Sequence, residues 1–445
     1  MKKILLIGAG RSSSALIKYL LESGLQKNWS ITIGDVSVEL AQEKCKGFSG
    51  ARAIKFDVND AAQREYEVQF SDLVISLLPP HLHHLVAVDC VKLKKHFLTA
   101  SYLSDEILAL DEEARHTGVL LLNECGLDPG IDHMSAMKVI DEIKSRGGEL
   151  TSFKSYTGGL VAPESNDNPW GYKFSWNPRN VILAGQGTAR YIQNGHYKYI
   201  PYNRIFTEIE TIHTEEMGAF DGYANRDSLA YRHHYNIESI PTLLRGTLRQ
   251  SGYCRAWDVF VKLGLTDDSY HLENSASLTY SQIVRSFLPK AYDNKELKES
   301  VAAFCGLPVD GEAMTRVKWT GIFEDVPTGI ADASPAKILQ HLLEDKWRLM
   351  PADKDMIVMQ HQFEFRVGAD NHKIISSLIV KGDDQMYTAM AKTVGLPLGI
   401  AAALLLEGKI NCTGVRIPVN REIYLPVLEE LEKSGIVFTE KETRI

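Results

Sequence analysis

The chain is poor in cysteine and has none in paired spacing: six in 445 residues, with no CxxC. Cys45, Cys90, Cys125, Cys254, Cys305 and Cys412 are scattered. That spacing excludes a zinc ribbon or a small disulfide scaffold. It fits reduced thiols and an expected cytoplasmic location. Excess positive charge is also missing. A net charge of −8 argues against nucleic acid as a partner, and an acidic ligand would need a local cluster of Arg and Lys. No apolar run approaches the length of a membrane span, so no membrane association is expected. Met1-Lys2-Lys3 and the short apolar stretch after it imitate the start of a signal peptide, but the stretch runs at once into a Gly-rich turn. Internal repeats and low-complexity linkers are absent. No metal is expected either: His81-Leu82-His83-His84 lacks cysteine partners and opens a helix after Pro79-Pro80. A chain of this length predicts two or three domains with a large core.

What is present begins at the N-terminus. Ile4-Leu5-Leu6-Ile7 is apolar and short, as a buried parallel strand requires. Gly8-Ala9-Gly10-Arg11-Ser12-Ser13 follows, then helical spacing over Ala15 to Leu21, a second strand at Ile31-Thr32-Ile33, and Asp35 at its end. This is the layout of a dinucleotide-binding βαβ unit. Gly8 allows the tight turn. Gly10 lacks a Cβ, so a pyrophosphate can approach the backbone, where the helix N-terminus offers unpaired N–H groups. Ser13 takes the place of the third glycine, a position that needs a small residue. Arg11 and Ser12 complete the turn. Asp35 can accept from a ribose 2′-OH and repels a 2′-phosphate, which favours NAD over NADP. Arg11 and Arg52 are cations that could lie near a phosphate.

Strand-like runs continue at Ala53–Asp57, Leu73–Leu78, Phe97–Ala100 and Val119–Leu122, with helical stretches between them. The alternation predicts an α/β fold: a Rossmann-type doubly wound parallel sheet. Ligands in such sheets sit beyond the carboxyl ends of the strands. That rule groups Gly8 to Ser13, Asp35, Asp57, Leu77 to Pro79, Ser101-Tyr102 and Asn123 to Asp128 on one rim. Near residue 130 the texture changes to Tyr-, Trp- and Gly-rich β-like runs, and Met386 to Leu406 turns helical and apolar again. The expected domains are residues 1–130 plus 386–445 for the nucleotide and an inserted α+β domain, 131–385, for substrate binding and dimerisation.

Three stretches are dense in polar and special-geometry residues: Asn123 to His133, Ser155 to Trp176, and Asn225 to Ser228 with Arg245 to Arg249. Guanidinium groups there suit a substrate with several carboxylates. Within them, GLDPGIDH, the run from Gly158 to Ser165, Gly171 to Trp176, Asn225 to Ser228 and Gly246 to Arg249 resemble saccharopine dehydrogenase of the L-glutamate-forming type. The resemblance covers nearly the whole chain. It implies interconversion of saccharopine with glutamate plus the semialdehyde of 2-aminoadipate in lysine metabolism, a nicotinamide cofactor and a homodimer. It implies that Ser101, Tyr102, Asp128, Arg226, Thr247, Leu248 and Arg249 touch substrate. It implies that Gly10 to Ser13, Asp35, Asp57, Val58, Leu78, Leu127, Asp128, Pro129 and Trp176 line the cofactor. Well-known members use NADP and carry a basic or neutral residue where this chain has Asp35, so NAD and NADP both stay open.

The chemistry follows from the substrates. Amine and aldehyde condense to an imine, hydride moves to the imine carbon, and a nearby anion favours the more electrophilic iminium. Asp128 is the candidate anion. Asp128, Tyr102, Lys173 and His133 are the candidates for proton transfer, with a water or the substrate amine as alternatives; of these His133 reads more readily as a hydrogen-bonded core or rim residue. Two other readings stand beside this one. The first is an imine reductase for a polyamine precursor of the carboxynorspermidine type, which should need more acids. The second is a non-catalytic nucleotide-binding redox sensor, which should need no polyanion pocket.

Overall fold

Six short apolar segments form parallel strands: β1 Lys2–Ile7, β2 Trp29–Asp35, β3 Ala51–Lys55, β4 Leu73–Ser76, β5 His96–Thr99 and β6 Leu120–Leu122. A seventh, Gly414–Arg416, joins beside β6. The order across the sheet is Gly414–Arg416, β6, β5, β4, β1, β2, β3. The chain reverses its direction of travel across the sheet between β1 and β4, and that switch point is where an open α/β sheet receives its ligand. The helices before residue 150 are α1 Ser14–Lys27, α2 Val38–Cys45, α3 Ala61–Gln69, α4 His83–Lys92, α5 Asp105–Leu108, α6 Asp111–Thr117 and α7 Ile131–Ser145. Both faces of the sheet are covered, so the central strands read as continuous apolar runs. Leu5, Ile7, Val74, Phe97 and Leu121 pack in one cluster with Val86 and Val91 of α4. Each such side chain fully buried stabilises the fold by roughly 1.5–3 kcal/mol.

The computed structural model describes residues 1–48, 50–292 and 296–445. It divides into two units, one of Met1–Leu150, Phe365–Asn371 and Leu378–Glu440, the other of Thr151–Glu364, His372–Ser377 and Lys441–Ile445. The expected boundary at residue 130 differs from this division, because α7 groups with the parallel sheet. The chain returns to the first unit first over Phe365–Asn371 and then from Leu378, both before the expected 386.

The helix Ala389–Leu406 corrects one expectation. It spans 18 residues with a mean hydropathy of 1.8, enough by length and composition to cross a membrane. Two-thirds of it is buried within the structure, and the core helix of a soluble protein meets the same criterion. Its packing explains its composition. A Cβ on Gly395 would stand 2.8 Å from the Leu16 backbone nitrogen, and one on Gly399 2.6 Å from the Tyr19 ring. The two glycines, one turn apart, let α1 approach closely.

The second unit is built on a mixed sheet. Its strands are β7 Glu149–Val161, β8 Ala189–Gln193, β9 His196–Ile200, β10 Ile209–Thr214, β11 Gly218–Ala224, β12 Thr242–Gln250, β13 Asp355–Val367 and β14 Asp370–Lys381. The order is β10, β11, β12, β7, β13, β14 and then Thr439–Arg444, with the β8–β9 hairpin against β12. β12 runs antiparallel to β11 and parallel to β7. Gly246 lies on β12 where a Cβ would stand 2.6 Å from the Tyr156 ring, so that ring fills the space a side chain would take. An aromatic cluster of Trp170, Trp257, Trp347, Tyr172, Tyr253 and Phe260 forms the core nearby.

Candidate active site

At the switch point of the parallel sheet, Gly8 donates its N–H to Gly34 O at 2.8 Å, and Leu77 N–H bonds Ile7 O at 2.8 Å. Gly8 has φ +105°, and a Cβ there would lie 3.0 Å from Leu77 O. The turn between the ends of β1, β2 and β4 therefore takes glycine alone. Gly10 is different: a Cβ there would meet no described atom within 4 Å. The space in front of Gly10 is open, as backbone contact with a pyrophosphate requires. Ser13 is 1% exposed and turns its hydroxyl back onto Gly10 O at 2.8 Å. The small third residue is thus used for local closure. Arg11 is exposed and Ser12 half-buried.

Asp35 has two backbone partners. Its Oδ2 accepts from Ala9 N–H at 2.7 Å and its Oδ1 from Ser37 N–H at 3.0 Å. The acid ties the Gly-rich turn to the start of α2 and fixes its own carboxylate beside the turn. Asp57 is exposed, with Oδ1 accepting from Asn59 N–H at 2.9 Å. Val58 and Leu78 both pack into the apolar cluster of the sheet. Their side chains serve the core, which leaves only their backbone to face a nucleotide. The residues around Gly10 fit a dinucleotide.

The turn after β6 is shaped by two glycines. A Cβ on Gly126 would stand 2.9 Å from Ala100 Cβ, and one on Gly130 only 2.1 Å from Gly126 O. Leu127 and Pro129 are buried and Asp128 between them is half-exposed. Tyr102 Oη stands 3.5 Å from Asp128 Oδ1, a long and weak contact. Two bonds clamp the loop after β5 to this turn: Glu124 N–H to Ser101 O at 3.0 Å and Leu103 N–H to Glu124 Oε1 at 3.0 Å. His133 is fully buried and bonds Glu124 Oε2 at 2.8 Å through Nε2. It is the hydrogen-bonded core residue its sequence context suggested. Glu124 was not anticipated as a clamp; its only signal was its place between β6 and the first glycine.

In the second unit, Thr247 pairs with Tyr223 of β11 and Thr157 of β7. Arg249, two positions on, shares its face. Leu248 projects from the opposite face, is fully buried, and its Cβ lies 2.8 Å from where a Cβ on Gly158 of β7 would stand. Its side chain therefore cannot join Thr247 and Arg249; only its backbone can. Arg249 is 4% exposed, and its guanidinium lies 5.4, 6.0 and 5.6 Å from the rings of Tyr172, Tyr223 and Tyr253. One N–H bonds Leu248 O at 3.0 Å, and Nε has no partner among the described residues. Arg226 is exposed with φ +47°, and its carbonyl accepts from Arg190 N–H at 2.8 Å. Trp176 is half-buried and donates from Nε1 to Tyr172 Oη at 3.2 Å.

Lys173 departs from its expected role. Its side chain is 3% exposed, and Nζ pairs with Asp167 at 2.8 Å and Asp353 at 2.7 Å. Burial by itself would lower its pKa; the bonds to the two carboxylates outweigh burial and raise it. A lysine locked in its charged form between two acids suits a fixed structural cation and not a carrier of protons. Among the described residues no group of three or more His, Cys, Asp or Glu is arranged to hold a metal ion.

The parallel sheet with its reversal of strand order, its Gly-rich turn and the acid after β2 defines a dinucleotide-binding α/β protein, here carrying a second unit on a mixed sheet. Residues 4–122 match the saccharopine dehydrogenase NADP binding domain and residues 126–436 the saccharopine dehydrogenase C-terminal domain. The chain is 33% identical over 452 residues to the saccharopine dehydrogenase [NADP(+), L-glutamate-forming] of Pyricularia oryzae, covering 99% of each protein. It is 37% identical over 451 residues to the mouse mitochondrial alpha-aminoadipic semialdehyde synthase, covering 99% of this chain and 48% of that protein. It thus spans about half the length of the latter relative. The apo saccharopine dehydrogenase (L-Glu forming) of Saccharomyces cerevisiae superposes with a TM-score of 0.89 at 32% identity, covering all of both chains. The chain belongs to the saccharopine dehydrogenase family.

Proposed function

We propose that the protein interconverts saccharopine with L-glutamate and 2-aminoadipate 6-semialdehyde, using NAD in preference to NADP. The observation that carries this reading is Arg249. A guanidinium is a permanent cation, and a buried one without an anion is costly. Arg249 is buried in a tyrosine cage with an unpartnered Nε. A substrate carboxylate would complete it, and a tricarboxylate substrate would also use Arg226. The whole-length likeness to the Pyricularia enzyme supports the same reading.

The nicotinamide supplies or accepts the hydride. The chain's own residues do the rest. Gly10 and the start of α1 would hold the pyrophosphate, and Asp35 the adenosine ribose. Asp128 would stabilise the iminium formed from amine and aldehyde, with the Tyr102 hydroxyl 3.5 Å from its carboxylate. Positioning of the reacting carbons supplies much of the rate, and a general acid or base adds about 10²–10⁴-fold. Two features support NAD. Asp35 is held in place by Ala9 and Ser37 N–H, and its charge opposes a 2′-phosphate. A cytoplasmic homodimer acting on a small-molecule amino-acid substrate completes the proposal.

The test is oxidation of NADH and NADPH by purified protein with glutamate and aminoadipate semialdehyde, and the reverse with saccharopine. Turnover with these substrates is expected. Turnover only with a polyamine precursor, or nucleotide binding without any turnover, would overturn the proposal.

A further inference from the structure

Ser101 does not act alone. His83, the first residue of α4, stands between two serines: Nδ1 lies 2.8 Å from Ser76 Oγ at the end of β4, and Nε2 2.7 Å from Ser101 Oγ after β5. The ring is 2% exposed and packs edge-on against Phe97. Ser76 is wholly buried, and its hydroxyl has no other hydrogen-bond partner among the described residues. A buried hydroxyl whose proton finds no acceptor is penalised, so the Ser76 proton goes to Nδ1. A neutral imidazole carries one N–H, and an accepting Nδ1 leaves that proton on Nε2. Burial, helped by the charge of His81, pushes the His83 pKa down to about 4, so the ring is neutral at pH 7. Nε2–H therefore donates to Ser101 Oγ. The Ser101 proton then has no acceptor among the described residues and is left for a ligand.

We propose that His83 is a positioning residue that makes Ser101 a hydrogen-bond donor, directed at a carboxylate oxygen of the amino-acid substrate and not at its ammonium group. The identity of that ligand rests on the proposed reaction; the direction of the hydrogen-bond chain Ser76, His83, Ser101 does not.

The experiment has two arms on the full-length protein. The first is ¹⁵N NMR of histidine-labelled protein, with the His83 signals assigned by their loss in His83→Gln. An Nε2–H tautomer that does not titrate between pH 8 and about 5.5 is expected, since its midpoint lies near 4. An Nδ1–H tautomer, or titration near neutrality, would overturn the proposal whether or not the protein turns over saccharopine. The second arm is steady-state kinetics with saccharopine. Ser101→Ala and His83→Leu should each raise KM about 10-fold or more, the scale of one hydrogen bond to a charged group, with kcat changed less. His83→Gln, which keeps an amide N–H near Nε2, should stay within about threefold, and the double variant Ser101→Ala/His83→Leu should be no worse than Ser101→Ala, since the two act as one chain. Additive losses in the double variant, or a His83→Gln defect as large as that of His83→Leu, would refute the positioning role. Should His83→Leu not fold, the NMR arm and the His83→Gln and Ser101→Ala pair decide. A wild type inactive on saccharopine would sink the functional reading and leave the tautomer to the spectrum.

Discussion

Asp35 offers a clean separation of charge from hydrogen bonding. Both oxygens accept backbone N–H groups, from Ala9 at 2.7 Å and Ser37 at 3.0 Å. Asp35→Asn keeps an acceptor for one of them and removes the charge. Asp35→Ala removes both acceptors and leaves the N–H of Ala9, a residue only 1% exposed, without its partner. The two variants should therefore fail differently. With a 2′-phosphate bound about 5 Å from the carboxylate, repulsion comes to roughly 3 kcal/mol per unit charge at an effective dielectric near 20. Salt and partial exposure reduce it. In the same direction, NAD loses the charge assistance on one ribose hydrogen bond, about 1 kcal/mol. With each ~1.4 kcal/mol worth a factor of ten, Asp35→Asn should shift the NADPH-to-NADH ratio of kcat/KM by about 10²-fold toward NADPH. Asp35→Ala should shift the ratio similarly and also raise KM for both nucleotides, because the turn loses its fastening. Initial rates with each nucleotide, and nucleotide affinity by fluorescence titration, read both quantities. A ratio moved by less than threefold in Asp35→Asn, or a wild type that already prefers NADPH, would refute the role assigned to the acid.

Two further outcomes follow from the same turn and its neighbours. Gly10 has ordinary φ −67° and open space around its missing Cβ, so Gly10→Val should melt within about 2 °C of the wild type while losing nucleotide affinity at least ~10-fold. Gly130→Ala, with a Cβ driven to 2.1 Å of Gly126 O, should fail to fold stably, as soluble yield and thermal melts would show. His83 makes a pH prediction. Burial lowers its folded pKa from 6.5 to about 4, so the unfolded state binds more protons between these values. Its contribution to stability is complete above about pH 6.5 and is lost as pH falls toward 4, by about 3 kcal/mol in all. Urea midpoints measured from pH 7 to 4 should fall less steeply in His83→Gln than in the wild type. Parallel curves would show that His83 is not neutral in the folded state.

The features legible in sequence are those decided within a few residues. A Gly-rich turn between a strand and a helix needs only local spacing, and the structure puts Gly8, Gly10 and Asp35 together at the switch point as that spacing implies. Side-chain partnerships across long stretches of chain are not legible. Lys173 reads as a reactive lysine in a polar motif until Asp353, distant in sequence, is seen bonded to it. Val58 and Leu78 lie just past the ends of β3 and β4, and only packing shows that their side chains belong to the core. The apolar helix Ala389–Leu406 is ambiguous by composition, and the contacts of Gly395 and Gly399 with α1 give it a place in the first unit's core. Ser101 shows what a motif leaves out. Family likeness can mark a serine as a substrate contact, yet a hydroxyl donates or accepts equally well, and the motif does not choose. The choice comes from a buried serine on one strand and a neutral histidine opening the next helix, neither within the motif. Whether Ser101 recognises an anion or an ammonium is therefore set by the direction of a hydrogen-bond chain, which only coordinates reveal.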